Sequence, residues 1–284
     1  MNNVDRIALL ESFVRVIDVG SLSAAATSMD ITQPTISRRI KALESIVGTK
    51  LIHRTTHYLE LTDEGRRFLP QARDLVSRWD AGLDDLKDNE PQGLLRVAIP
   101  VGLGQTWLIE KISSYLKNYP GVTIDWTLTD EPIDVINGDA DIWIKIGKVA
   151  DDRLIVRTVA RVERFLVANP ELASNCAHWE TLPCVSLSPF YRNELSLFDQ
   201  NNQETSHSPN VVFATNNIMA ARQAVLNSIG YALLPDWLIK DDVKLGHLIR
   251  IAPHLSGEPL DVVLAYAPER GRPLRLKKFL EHFA

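Results

Sequence analysis

"ITQPTISRRIKALE", residues 31–44, decides how the first part of this chain folds. Ile36, Ile40 and Leu43 recur at i, i+4 and i+7, the spacing of a helix with one buried stripe. The opposite side carries Gln33, Thr35, Ser37, Arg38, Arg39 and Lys41. Thr32 suits an N-cap, Pro34 is tolerated in a first turn, and Gly48 suits the end. The spacing therefore predicts a helix over 31–47. Its polar side is either a solvated face or a surface that reads a partner, and the flanking segments separate the two.

Upstream, residues 4–19 place Ile7, Leu10, Val14 and Ile17 on one helical stripe, closed by Gly20. Ser21 can cap a second helix, "LSAAATSM", whose Ala24, Ala25 and Ala26 allow a close neighbour. "DIT" makes a tight turn into the helix of 31–47. Downstream, "TKLIHRTTHYLELTDEG" reads as two short β-rich pieces around "RTTH", a small two-stranded wing. The order is helix, helix, turn, helix, wing. Recognition helices of this arrangement enter the major groove and set their N-terminal residues against base edges. Here those are Gln33, Pro34, Thr35, Ser37 and Arg38, with Lys41 one turn on. Gln pairs bidentately with adenine and Arg with guanine. Arg54 and Thr55 in the wing suit phosphate contacts, which set register rather than sequence.

Charge fits this locally, not globally. The 284 residues carry a net charge of −5, yet residues 33–57 hold five basic side chains against one acidic. With 45% hydrophobic and 24% charged residues, the composition is that of a globular protein of about two domains. No apolar run approaches the ~18 residues of a membrane helix. "MNNVDRIALLESF" lacks the apolar core of a secretory signal, so no membrane partner is expected. Cys176 and Cys184 match no metal or redox spacing, and a reducing cytoplasm is the expected compartment.

From Gly65 to about Asn89, Phe68, Ala72, Leu75, Trp79, Leu83 and Leu86 follow steps of three and four. This is one long helix, roughly 35 Å at 1.5 Å per residue. A single apolar seam of that length suits a coiled-coil-like dimer. "DNEPQG", 88–93, reads as a hinge.

Beyond it the pattern becomes α/β. Strands are expected at 94–100, 122–130 and 140–147, and at "RFLVAN", "CVSLS", "VVFAT", "YALLP" and "DVVLAY". Helices are expected at "GQTWLIEKISSYLKNYP", at "EPIDVING", and at 216–228 and 272–283. The alternation implies parallel sheets. No enzyme motif survives inspection. "VGLGQTW" places Trp107 where a dinucleotide fingerprint needs its third glycine. There is no nucleophile elbow, and the seven histidines show no metal-ligand spacing. No cofactor is expected, and an enzyme ranks third among the readings.

Open α/β sheets bind ligands beyond the carboxyl ends of their strands. Those ends give Pro100, Val101 and Gly102, then Thr129, Lys145 and Ile146, then Thr215, Asn216, Leu234 and Pro235. Donors at the helix start after Gly104 and at Thr215–Asn216, with Lys145 as countercharge, favour a small anion.

The run "SFVRVIDVGSLSAAATSMDITQPTISRRIKALESIVGTKLIHRTTHYLELTDEGRRFL" resembles the DNA-binding domain of LysR-type transcriptional regulators. The likeness lies in the element order, the Ala-Ala-Ala helix, "QPxxSRxIxxLE" and the "RTxxxxxLTxxG" wing. "NGDADIWIKIG" and "GYALLPDWL" resemble the effector domain of that family. His57 stands where many relatives carry Arg, and Lys145 replaces the Arg often seen in "DIAIRIG". The resemblance implies base contacts from Gln33, Pro34, Ser37 and Arg38, and backbone contacts from Arg54 and Thr55. It also implies an α+β chain in three parts: a winged helix-turn-helix (1–64), a linker dimerisation helix (65–90) and an effector-binding α/β domain (91–284). The last resembles periplasmic solute-binding proteins, with subdomain I at about 91–161 plus 266–284 and subdomain II at about 162–265. The expected partners are double-stranded DNA with a pseudo-palindromic operator and a second or further copies of the chain, as dimer or tetramer. RNA polymerase is a further candidate. The expected activity is transcription regulation modulated by a small metabolite held between the subdomains. The alternative is a small-molecule-binding module whose head lacks sequence specificity.

Overall fold

The computed structural model describes residues 5–54, 59–86, 90–174, 178–188, 194–268 and 272–283. Three helices build the head: α1 (Arg6–Val19), α2 (Leu22–Ser28) and α3 (Gln33–Val47). Asp5 accepts from the Ala8 amide and Ser21 from the Ala24 amide, so both caps fix where their helices begin. Gly20 and Gly48 close α1 and α3 with φ of 67° and 80°. The third helix starts at Gln33, not residue 31, because Thr32 is extended and its hydroxyl bonds Thr35. In α1 the fully buried apolar residues are Leu9, Leu10, Phe13 and Val16, whereas Ile7, Val14 and Ile17 are half-buried. The expected stripe is shifted because α1 is wedged between α3 and the long helix and buries two faces.

Strands β1 (Ile52–Arg54) and β2 (Leu59–Leu61) pair antiparallel, Ile52 opposite Leu61. Then comes α4 (Asp63–Leu86). Its start is fixed by buried Thr62, which accepts from the Gly65 amide and donates to the Lys50 carbonyl. Gly65 is required there: a Cβ would lie 2.1 Å from the Leu51 carbonyl oxygen.

The remainder is two lobes joined by two long strands. In chain order come β3 (Gly93–Ile99), α5 (Val101–Gln105), α6 (Ile109–Asn118), β4 (Val122–Leu128), β5 (Ile142–Ile146) and β6 (Ile155–Ala168). There follow α7 (Pro170–Ser174), β7 (Pro183–Leu187), β8 (Leu195–Phe198), β9 (Glu204–His207), β10 (Asn210–Thr215) and α8 (Ile218–Leu226). Last are β11 (Ala232–Pro235), α9 (Asp236–Lys244), β12 (Ile249–Arg250), β13 (Ser256–Tyr266) and α10 (Leu274–His282). The main sheet runs β11-β6-β13-β5-β3-β4, and β7 pairs with β10 separately. The sheet is mixed, not parallel throughout: β3 is parallel to β4 and β5, but β6 and β13 run antiparallel through both lobes. Each lobe has its own core, one around Tyr115, Ile142 and Phe279, the other around Val185, Ala221 and Tyr231.

Two expected helices differ. "EPIDVING" is a set of turns, because the Asp134 carboxylate takes the Asn137 amide and the Asp139 carboxylate takes the Asp134 amide. Such side-chain bonds compete with helix formation. The helix expected over 104–120 is split, because the Gly104 carbonyl accepts from the Trp126 indole.

Candidate functional site

On the head, Gln33, Pro34, Arg38 and Lys41 are exposed along one side of α3, and Thr35 and Ser37 are half-buried beside them. The Arg38 guanidinium curls back to the Pro34 carbonyl at 3.4 Å and the Thr35 hydroxyl at 3.5 Å. These long contacts hold the side chain over the helix start. Arg39 is different: it donates to Ser12 of α1 at 3.1 Å, a brace inside the head. Lys50 is also braced, with its ammonium 2.8 Å from buried Glu44. Burial would raise the Glu44 pKa, but bonds from Lys50 and the Leu51 and Ile52 amides hold the carboxyl below its ordinary range. Arg54 ends β1; Thr55 and His57 lie outside the described residues.

Along α4, Ala72 is buried against the head and Phe68 is half-buried. Leu75, Trp79 and Leu86 are exposed, at 48%, 49% and 82%. They lie on one side of the helix, so half of the expected seam is spent inside the protomer and half faces outward.

The strand-end residues of the two lobes divide. Ile146 and Pro235 line a small cavity between the lobes, with Leu187, Ile218, Leu233 and Arg164. Leu234 is buried in the core, and Asn216 is exposed. Pro100 precedes α5, whose Val101 amide donates to the Asp130 carboxylate at 3.1 Å. Thr129 accepts from the Glu131 amide. Thr215 accepts from the Asn217 amide, and the cap of α8 is Asn217, not Asn216, accepting from Met219 and Ala220. The Lys145 ammonium lies 2.7 Å from the Lys148 carbonyl and 4.9 Å from the centre of the Trp143 ring. Of the groups expected to meet an anion, Val101, Thr129, Lys145 and Thr215 thus have partners within the protein.

The crossing residues Arg164 and Leu260 of β6 and β13, and the pair Trp107–Trp237, were not among the sequence candidates. The two indoles stack across the lobes at 6.4 Å and 11°. Gly102 lets the lobes touch, since a Cβ there would fall 2.4 Å from Ile218 Cγ2.

A larger cavity of about 710 Å³ separates α1 and α4 from the first lobe, with an ionic lining. At its edge Asp18 accepts from Arg73 at 2.6 Å and Arg96 at 3.1 Å, and Arg96 reaches Asp141 at 2.9 Å. Arg73 also donates to the Gly138 carbonyl. Burial and neighbouring Arg96 lower the Arg73 pKa. Burial also opposes the charge on Arg96, but Asp141 and Asp18 outweigh it. Among the described residues no cluster of metal ligands occurs, and no helix is long and apolar enough to cross a membrane.

Comparison with known proteins bears on the whole chain. Residues 7–66 match the family model described as "Bacterial regulatory helix-turn-helix protein, lysR family", and residues 88–284 match "LysR substrate binding domain". The Escherichia coli (strain K12) "Uncharacterized HTH-type transcriptional regulator YhjC" is 25% identical, over 99% of this chain and 97% of the relative. The full-length Vibrio cholerae virulence activator AphB shares the fold, with a TM-score of 0.61 at 22% identity over 97% of each chain. CrgA, a LysR-type transcriptional regulator from Neisseria meningitidis, has a TM-score of 0.60 at 25% identity, covering 100% of this chain and 98% of that one.

Proposed function

Because this chain belongs to the LysR-type family of transcriptional regulators, with a helix-turn-helix and an effector-binding domain, we propose a specific division of labour for its residues. The head (1–64) reads a pseudo-palindromic operator through Gln33, Pro34, Thr35, Ser37, Arg38 and Lys41 in the major groove. Arg54 and Thr55 meet phosphates. The linker helix (65–90) pairs with the same helix of a second copy through Leu75, Trp79 and Leu86. That pairing fixes the separation of two recognition helices, and hence the spacing of half-sites. The effector region (91–284) holds a small molecule between its lobes, and binding shifts the balance between two arrangements of the oligomer. The protein acts in the cytoplasm as a regulator rather than as an enzyme, with RNA polymerase as a candidate contact.

The observation that carries this reading is the row of exposed Gln33, Pro34, Arg38 and Lys41 at the start of α3, opposite the buried Ile36, Ile40 and Leu43 of the same helix. Salt-dependent binding tests it. Specific binding falls steeply with salt and exceeds non-specific binding by roughly 10³ or more. A ratio near one would leave a ligand-binding module with a non-specific head.

A further inference from the structure

We propose that Arg39 is a positioning residue for sequence reading: it does not meet DNA, but pins α3 to α1 through Ser12 and so sets the rotation at which α3 presents Gln33, Ser37 and Arg38. The proposal rests on the reading of α3 as the helix that enters the major groove. It adds a residue that acts on specificity from behind that helix.

Helix geometry turns Arg39 away from the reading row. At ~100° per residue, Arg39 stands about 140° round α3 from Pro34 and about 40° from Leu43. Pro34 is exposed and Leu43 is buried. The neighbouring Arg38 lies over the helix start, against the Pro34 carbonyl and the Thr35 hydroxyl. Two adjacent arginines of one helix therefore face different partners.

Ser12 is placed to receive Arg39. It is fully buried in the middle of α1. Its hydroxyl proton goes to the Ala8 carbonyl at 2.7 Å, which leaves Oγ as an acceptor. Arg39 Nη1 donates to that oxygen at 3.1 Å. Such a bond from a charged donor is stronger than a neutral one. Glu11, the preceding residue of α1, also feels the charge. Burial raises the Glu11 pKa and Asp80 and Asp5 add to this, while Arg39 and Arg15 pull it down. Within the head, α1 thus gives Arg39 both a hydrogen-bond acceptor and an opposite charge.

The bond supplies what the core cannot. Ile36, Ile40 and Leu43 share one apolar core with Leu9 and Phe13 of α1. Apolar burial is non-directional and tolerates a small rotation of α3, whereas a hydrogen bond is directional and resists it. The brace sits one residue past Arg38, so the rotation it fixes is that of the reading residues. In turn α1 is tied to α4 by the Asp18–Arg73 pair at 2.6 Å, which refers the reading helix to the linker helix. Base-edge contacts carry the sequence information and phosphate contacts do not. Loss of the brace therefore lowers discrimination and leaves the number of phosphate contacts unchanged.

The test uses the full-length protein. A randomised duplex library gives the preferred site. Affinity for that site and for a scrambled duplex is then measured between about 50 and 200 mM salt, below the melting temperature of every variant. The ratio of the two affinities is independent of the folded fraction, so a change that only destabilises the head leaves it unmoved. Arg39→Ala is expected to lower the ratio at least about fivefold, with the salt slope unchanged. Ser12→Ala removes no charge and alters a fully buried position, and it should lower the ratio in the same direction. The double variant should be no worse than Arg39→Ala, because both changes remove one interaction. A salt slope reduced by about one in Arg39→Ala marks a phosphate contact and overturns the proposal. So does an unchanged ratio in Arg39→Ala or in Ser12→Ala, or losses that add in the double variant. If the wild-type ratio is large and Arg38→Ala lowers it while Arg39→Ala does not, only the positioning role fails. A wild-type ratio near one defeats the reading of α3 and this proposal together.

Discussion

The Arg73 guanidinium of the linker helix lies 2.6 Å from the Asp18 carboxylate of the first head helix. Asp18 also accepts from Arg96 of β3, so one carboxylate joins the head, the linker and the first lobe. Its side chain is 6% exposed, and the two guanidinium groups are 14% and 15% exposed. Removing one partner from a buried ionic cluster costs more than the cluster contributes, because charges are left stranded. Asp18→Ala leaves Arg73 and Arg96 facing each other with Asp141 as the remaining carboxylate. Urea unfolding of the variant is expected to show a loss of about 3 kcal/mol. A loss under about 0.5 kcal/mol, the range of an ordinary surface change, would mean that the contact carries no load.

Glu44 gives the head a pH dependence. Its folded pKa lies below the ordinary 4.5, so its contribution is fully present above about 4.5 and is lost as pH falls through the lower folded value. Lys50→Ala removes one of the three bonds that depress it. The variant should lose stability near neutral pH and show a shallower acid-side decline, measured by thermal melting from pH 3 to 7. An unchanged melting profile would remove Lys50 from the brace. Lys50→Ala is also expected to weaken all DNA sequences alike, since its partner is a structural carboxylate and not a base.

The outward half of the α4 seam predicts self-association. Trp79→Glu and Leu75→Glu place a charge in the middle of the paired surface while both positions remain half-exposed in the protomer. Sedimentation should show dimer or tetramer for the wild type and a shift toward monomer for the variants. Circular dichroism should be unchanged. Wild-type protein that sediments as a monomer at micromolar concentration contradicts the pairing.

Cys184 is expected to be chemically quiet. Burial pushes its thiol up to about 11, an effect that the Tyr231 bond reduces only in part. The thiolate is the reactive form, so little is available at neutral pH. A thiol reagent at pH 8 should label Cys184 only after unfolding in urea, as read by mass spectrometry. Rapid labelling of Cys184 in the folded protein would reverse this assignment. Cys176 lies outside the described residues.

The head was legible because its signals are local. Ser21, Gly20 and Gly48 act on backbone groups within a few residues, and Ile36, Ile40 and Leu43 fall on the buried side that their spacing predicts. The cleft was less legible. Ile146 and Pro235 stand at strand ends and could be anticipated, but Arg164 and Leu260 lie within strands and look like any mixed apolar run. Nothing nearby in sequence says that β6 and β13 cross from one lobe to the other. Helix-start donors look free in a sequence, whereas the Val101 amide donates to Asp130, 29 residues away. The ionic cluster of Asp18, Arg73, Arg96 and Asp141 had no local signal at all, since its members meet only in the folded chain.

The most direct test of the reading head is selection of genomic fragments by the purified protein, with wild type beside Arg38→Ala. Wild type is expected to enrich a few fragments that share an inverted repeat. Arg38→Ala should bind them more weakly by about 1–3 kcal/mol and relax preference at one base pair per half-site. Equal enrichment by both proteins, or no shared repeat among the fragments that wild type retains, would contradict the assignment of α3 as the helix that reads sequence.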